Sequence, residues 1–249
     1  MERLNALVEL VLKEVPALPE EPMRLKHLNK KIKDLDPEET ARFFDILYKK
    51  GSTHKPVRIV LNLLVDPNGL SRELGKKKYN AIYRVSVKLG LGRISRLFTE
   101  AEPYKKGVFG YDREEEAAME FITLGQRRTL SKSNDKNTLD RLLSDPDPHV
   151  ITNILNNPRI TEREVVRIAS KRPNSPEILK TLALHRVWSK RYSVIKAVAL
   201  NPYAYPRVSV VLVEFMHTMD LKTVAEDGSL HPQVRLSAME IIREKTGSM

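Results

Sequence analysis

Apolar residues recur along this chain at intervals of three and four, and proline, glycine or an Asp-Pro or Asn-Pro pair repeatedly cuts the pattern short. Leu4, Leu7, Val8, Val11, Leu12 and Val15 form one helical stripe ending at Pro16 and Pro19, and Leu25, Leu28, Ile32 and Leu35 form the next. Asp36-Pro37-Glu38-Glu39 then offers an N-cap aspartate, a proline at the first helical position and carboxylates where the positive end of the helix dipole favours them. Ala41, Phe44, Ile46, Leu47 and Tyr48 are the packing side of that helix. Val57 to Val65 suits a buried helix or a strand, with Asp66-Pro67-Asn68-Gly69 as the turn that follows. Ala81 to Val87 is rich in β-branched and aromatic residues that a strand would accept, and is read here as helix. Asp112-Arg113-Glu114-Glu115-Glu116 reads as an acidic helix start ahead of Met119, Phe121, Ile122 and Leu124.

Toward the C-terminus the pattern repeats. His149 to Pro158, Ser193 to Pro202 and Gln233 to Ile242 align with one another, with Val150, Val194 and Val234 in register. Those valines stand 44 and 40 residues apart, inside the roughly 40–47-residue period of HEAT and armadillo arrays. Prolines 158 and 173 are 15 apart, so the unit is one helix plus a turn, three of which fill a period. Such helices are too short to be stable alone, since isolated helices under about 12–15 residues are marginal in water. They must stack. The expected fold is all-α: an N-terminal helical region over 1–124, a polar, basic, serine-rich linker over 125–137, and an α-solenoid of helical repeats over 138–249.

The Asp-Pro turn before a valine-started helix, the Asn-Pro helix ends and the closing His231-Pro232-Gln233-Val234-Arg235 resemble the bacterial HEAT-like and leucine-rich-repeat-variant families over about the last 110 residues. The resemblance implies a right-handed, curved helical stack used for protein–protein contact. Some members of the variant family carry a cysteine-held iron–sulfur cluster ahead of the repeats, and this chain has no cysteine to hold one.

Composition narrows the function. The chain has 249 residues, a hydrophobic content of 41% and a charged content of 30%, which suits a folded soluble protein. It has no apolar run long enough to span a bilayer, and its first helix carries Glu9, Lys13 and Glu14 where a signal peptide stays apolar, so a cytoplasmic location is expected. A net charge of +11 favours a polyanionic partner.

Catalytic chemistry has no signature here. None of the six histidines pairs at the i, i+4 spacing of a helical metal site, Leu89-Gly90-Leu91-Gly92 lacks the third glycine of a dinucleotide loop, and there is no nucleophile elbow. HEAT-like stacks also occur in alkylpurine DNA glycosylases, whose active-site pattern has no recognisable match in this chain. No catalytic set, metal or cofactor is expected. The candidate binding residues are cationic: Lys76, Lys77, Lys78, Arg84, Arg93 and Arg96, interleaved with Tyr79 and Tyr83; Arg163, Arg167 and Lys171 at i, i+4, i+8; and Trp188 beside Lys190 and Arg191. The reading is a non-enzymatic scaffold that binds an acidic partner protein through this basic surface. The alternative is a nucleic-acid-binding protein using the same cations on phosphates.

Overall fold

Proline sets where many of the helices begin. In the computed structural model, which describes residues 2–51, 54–107 and 121–247, proline opens or nearly opens eight helices, because its missing N–H costs nothing in the first turn. The fold is all-α: sixteen α-helices and no strand among the described residues. Both stretches with strand-like composition are helical, since burial on one face of a helix accommodates their β-branched side chains. The acidic start at Asp112–Glu116 lies outside the described residues.

The N-terminal half comprises α1 (Glu2–Glu14), α2 (Glu21–Ile32), α3 (Pro37–Lys49), α4 (Lys55–Asn62), α5 (Pro67–Leu74), α6 (Lys76–Lys88) and α7 (Gly92–Leu97). Helix α3 is its centre, packing on α1, α6 and α7 and burying Phe43, Phe44, Leu47 and Tyr48. Its start is a complete capping box: the Glu39 backbone N–H donates to Asp36 Oδ1 at 2.8 Å, and the Asp36 N–H donates to Glu39 Oε2 at 3.2 Å. Between α5 and α6 the chain reverses at Gly75, whose φ of 79° is a conformation that side chains disfavour.

The C-terminal half comprises α8 (Leu124–Leu130), α9 (Lys136–Leu142), α10 (Pro148–Leu155), α11 (Glu162–Ser170), α12 (Pro176–Leu184), α13 (Tyr192–Ala199), α14 (Pro206–Leu212), α15 (Thr218–Glu226) and α16 (Pro232–Thr246). Helices α8, α10, α12, α14 and α16 form a row in which each touches the next, while α11 and α13 pack together alongside. The last four of the row begin at Pro148, Pro176, Pro206 and Pro232, which stand 28, 30 and 26 residues apart. This corrects the register expected from the valines. Val150 and Val234 belong to the row, but Val194 lies in α13, so a period of 40–47 residues aligns helices from different positions in the packing.

The turns of this half are fastened by buried asparagines. Asn201 Nδ2 donates to the carbonyls of Ala169 at 2.8 Å and Lys171 at 3.0 Å, while its Oδ1 accepts from the Tyr203 N–H. Asn157 does the same to Ser133 and Arg159, so each amide closes its own turn and reaches back to an earlier one. The basic stretch 125–137 is not a free joint: it contains most of α8, and Asn153 Nδ2 donates to the Arg128 carbonyl and to Ser131 Oγ.

The two halves share one hydrophobic core. Helix α14 lies at their junction, all seven of its residues buried between α12, α13 and α16 on one side and α7 on the other. The segment after α7 then runs along the C-terminal half, with the Lys105 N–H donating to the Pro202 carbonyl at 3.1 Å. At Gly107 a Cβ would stand 2.5 Å from the Asn174 carbonyl oxygen, so only glycine allows that approach.

Candidate binding surface

The twelve cationic and aromatic candidates divide into those that hold the fold together and those that face solvent. Lys78 belongs to the first group. Its Nζ donates to the carbonyls of Ile32, Lys33 and Leu35, at 2.9, 2.7 and 2.6 Å, satisfying the last turn of α2, and burial lowers its pKa from the ordinary lysine value. Lys171 does not continue the Arg163–Arg167 stripe. Helix α11 ends at Ser170, Lys171 turns out of helical geometry, and its Nζ donates to the Ser144 carbonyl at 2.7 Å. Trp188 is half-buried, its indole Nε1–H donating to the Leu155 carbonyl at 2.9 Å at the end of α10.

Arg93 and Arg96, expected on a basic surface, are instead the polar seam between the two halves. Arg93 grips Glu214 in bidentate fashion, with Nε 2.8 Å from Oε1, while its Nη1 reaches Glu244 at 2.7 and 2.9 Å. Its guanidinium also sits 4.6 Å from the centre of the Tyr48 ring. Arg96 donates to Ser237 Oγ at 2.7 Å and pairs with Glu240. Glu214 is only 2% exposed: burial pushes its carboxyl up, against the pull of Arg93. Arg207 is the third arginine of the seam and escapes a reading for clustered charge, because it stands alone at the head of the apolar run Val208–Val213. It is 3% exposed, its Nη1 donates to the Tyr79 hydroxyl, and Nε and Nη2 have no partner among the described residues.

The remaining candidates face solvent in two places. On α6, Lys76, Lys77 and Arg84 are exposed together with Lys88, and Tyr83 and Val87 lie among them at 39% and 55% exposure. Tyr79, four residues before Tyr83, is core instead, packed against Phe98. The second place is on the C-terminal half. Arg163 and Arg167 are exposed on α11, and Arg186, Lys190 and Arg191 surround the exposed Val187 over an open depression of about 450 Å³. Arg191 Nε approaches Glu162 Oε2 at 3.8 Å, which brings this loop beside the start of α11. Arg163, Arg167, Arg186 and Lys190 form no ion pair among the described residues.

The histidines have local roles. His185 Nδ1 accepts from the backbone N–H groups of Val187 and Trp188, and burial, with Arg186 nearby, lowers its pKa. His231 Nδ1 accepts from Gln233 at the start of α16, and His27 pairs with Glu14. No helix of the described residues is long and apolar enough to cross a membrane. Comparison with protein-family models, with curated proteins and with solved structures finds no match to this chain.

Proposed function

We propose that this chain is an α-repeat scaffold that binds an acidic partner protein through the basic edge of its C-terminal half, without catalysing a reaction. The reading is supported by short helices that recur in pairs and pack neighbour on neighbour, the arrangement by which HEAT-like stacks present an extended surface. The observation that carries it is the group of exposed cations Arg163, Arg167, Arg186 and Lys190, which form no ion pair among the described residues, with Arg186 and Lys190 beside an exposed Val187. An exposed cation with no ion pair among the described residues is free to meet a partner's carboxylates, and the apolar residue between those on the loop adds area that the charges alone would not supply.

The exposed face of α6 favours a second reading. Tyr83 among Lys76, Lys77 and Arg84 is the combination of ring and cations that stacks on bases while neutralising phosphates. One experiment separates the two. The full chain is used for affinity capture from native lysate with and without nuclease, beside the variants Arg163→Glu/Arg167→Glu and Lys76→Glu/Lys77→Glu. The scaffold reading expects capture of an acidic protein that survives nuclease and is lost on reversing the arginines. Capture that disappears with nuclease, falls steeply with salt and depends on the lysines refutes it in favour of nucleic acid.

A further inference from the structure

Where the segment after α7 crosses the C-terminal half, a cavity of about 240 Å³ opens between the two halves. Its inner end holds Arg207 and Tyr79, and its lining reaches outward to Glu100, Glu102 and the Glu177–Lys180 pair. Arg207 is the anomaly of the seam. Arg93 and Arg96 are each neutralised by carboxylates, whereas Arg207 is equally buried and has one hydrogen bond, to a neutral phenol. A guanidinium keeps its charge inside a protein, and burying it with two donor nitrogens unmet is strongly unfavourable unless something supplies an acceptor. The phenol points the same way. Burial pushes Tyr79 up to about 12, so it stays protonated, and having accepted from Arg207 it has its own proton left to give. The unmet Nε and Nη2 make a fork of donors suited to one anionic group, as carboxylate or phosphate recognition requires, and the Tyr79 hydroxyl is a further donor beside it.

The mouth selects between those two. Glu100, Glu102 and Glu177 are exposed there, and among the described residues only Glu177 is offset, by Lys180 at 2.9 Å and the Tyr205 hydroxyl at 2.8 Å. A dianionic phosphate would be drawn by one arginine and repelled by two uncompensated carboxylates. A molecule with a carboxylate at one end and an ammonium at the other meets complementary charge at both. The volume holds about eight waters at roughly 30 Å³ each, which is also the space of a small metabolite. We propose that this cavity is a binding site for a free α-amino acid or a similarly small zwitterion, its carboxylate on Arg207 and Tyr79 and its ammonium toward Glu100 and Glu102. The site is independent of the basic edge, and either reading can fail without the other.

The test is isothermal titration of the full chain with each of the twenty L-amino acids, and with acetate, inorganic phosphate and ethylamine as single-charge or polyanion controls. At least one amino acid is expected to bind with a Kd of about 1 mM or tighter, and at least tenfold tighter than any control. Arg207→Met abolishes that binding. Because that variant removes a buried side chain, Glu100→Gln/Glu102→Gln provides a second arm on exposed positions, expected to weaken the amino acid several-fold and to leave acetate unchanged or tighter. Silence from every probe overturns the proposal, as does phosphate binding as tightly as the best amino acid, or affinities indifferent to the two glutamine substitutions.

Discussion

The buried pair Arg93–Glu214 provides the sharpest test of how the two halves are joined. Glu214 lies at 2% exposure and the Arg93 side chain at 12%, with two hydrogen bonds between them and Glu244, 56% exposed, as the guanidinium's remaining partner. Replacing Glu214 by Leu leaves the guanidinium buried with only that solvated carboxylate to meet. Breaking a buried pair from one side costs about 3–5 kcal/mol, and Glu244 should hold the loss near the lower figure. Arg93→Met removes both hydrogen bonds that the guanidinium gives to the almost fully buried Glu214 carboxylate, so it is expected near the upper figure. The double variant Arg93→Met/Glu214→Leu removes both charges and replaces them with apolar groups, which is often close to neutral. The double-mutant cycle should therefore return a coupling of at least about 2 kcal/mol, read as the shift in urea midpoint at constant slope. Additive losses, or single losses under about 1 kcal/mol, would refute the reasoning and show that the halves adhere by apolar packing alone.

Three further predictions use the same measurement. Asn201→Ala removes the amide that donates to the carbonyls of Ala169 and Lys171 and is expected to destabilise by about 2–3 kcal/mol, whereas Asn156→Ala, at an exposed position, changes little. Lys78→Met uncaps the end of α2 and should cost about 1–2 kcal/mol, while Lys76→Ala and Lys77→Ala stay within about 0.5 kcal/mol, as solvated positions do. Glu164 is held at about 2 against an ordinary 4.5: burial works against it, and hydrogen bonds from Thr161 with the Lys136 ammonium overcome that. Since its folded pKa lies below its unfolded one, its contribution is fully present above about 4.5 and disappears as pH falls toward 2, so Glu164→Gln should flatten the acid limb of stability in that window.

What the sequence revealed and what it hid follows from the range of each interaction. The Asp36–Glu39 capping box is closed within one turn, so four consecutive residues announce it. The apolar stripes of α1 and α3 are likewise local, and so are the Asx turns at Asn157 and Asn201, whose second bond, to an earlier turn, is not. The seam is the opposite case. Arg93 meets Glu214 across 121 positions, Arg207 meets Tyr79 across 128 and Arg96 meets Glu240 across 144, so no spacing rule connects them. A scan for basic clusters therefore counts Arg93 and Arg96 as surface and passes over Arg207. The usable signal was different in kind: a lone arginine before Val208–Val213 and a lone glutamate between Val213 and Phe215 are charges in a run too apolar to face water, and such charges must find partners.

That seam also determines which side of the C-terminal half stays open to solvent. In a stack open at both ends each helix keeps a solvent-facing side, but α14 keeps none, because α7 and the segment leading to Lys105 cover the side its own neighbours leave bare. The N-terminal half thus occupies the last helix pairs much as a bound protein would, and it does so with buried arginine–glutamate pairs that an exposed binding edge would not bury so deeply. The edge formed by α11 and the Arg186–Arg191 loop stays exposed, and there Arg163, Arg167, Arg186 and Lys190 form no ion pair among the described residues. Burial and charge partnering thus separate Arg93 and Arg96, neutralised where the two halves meet, from the exposed cations of that edge.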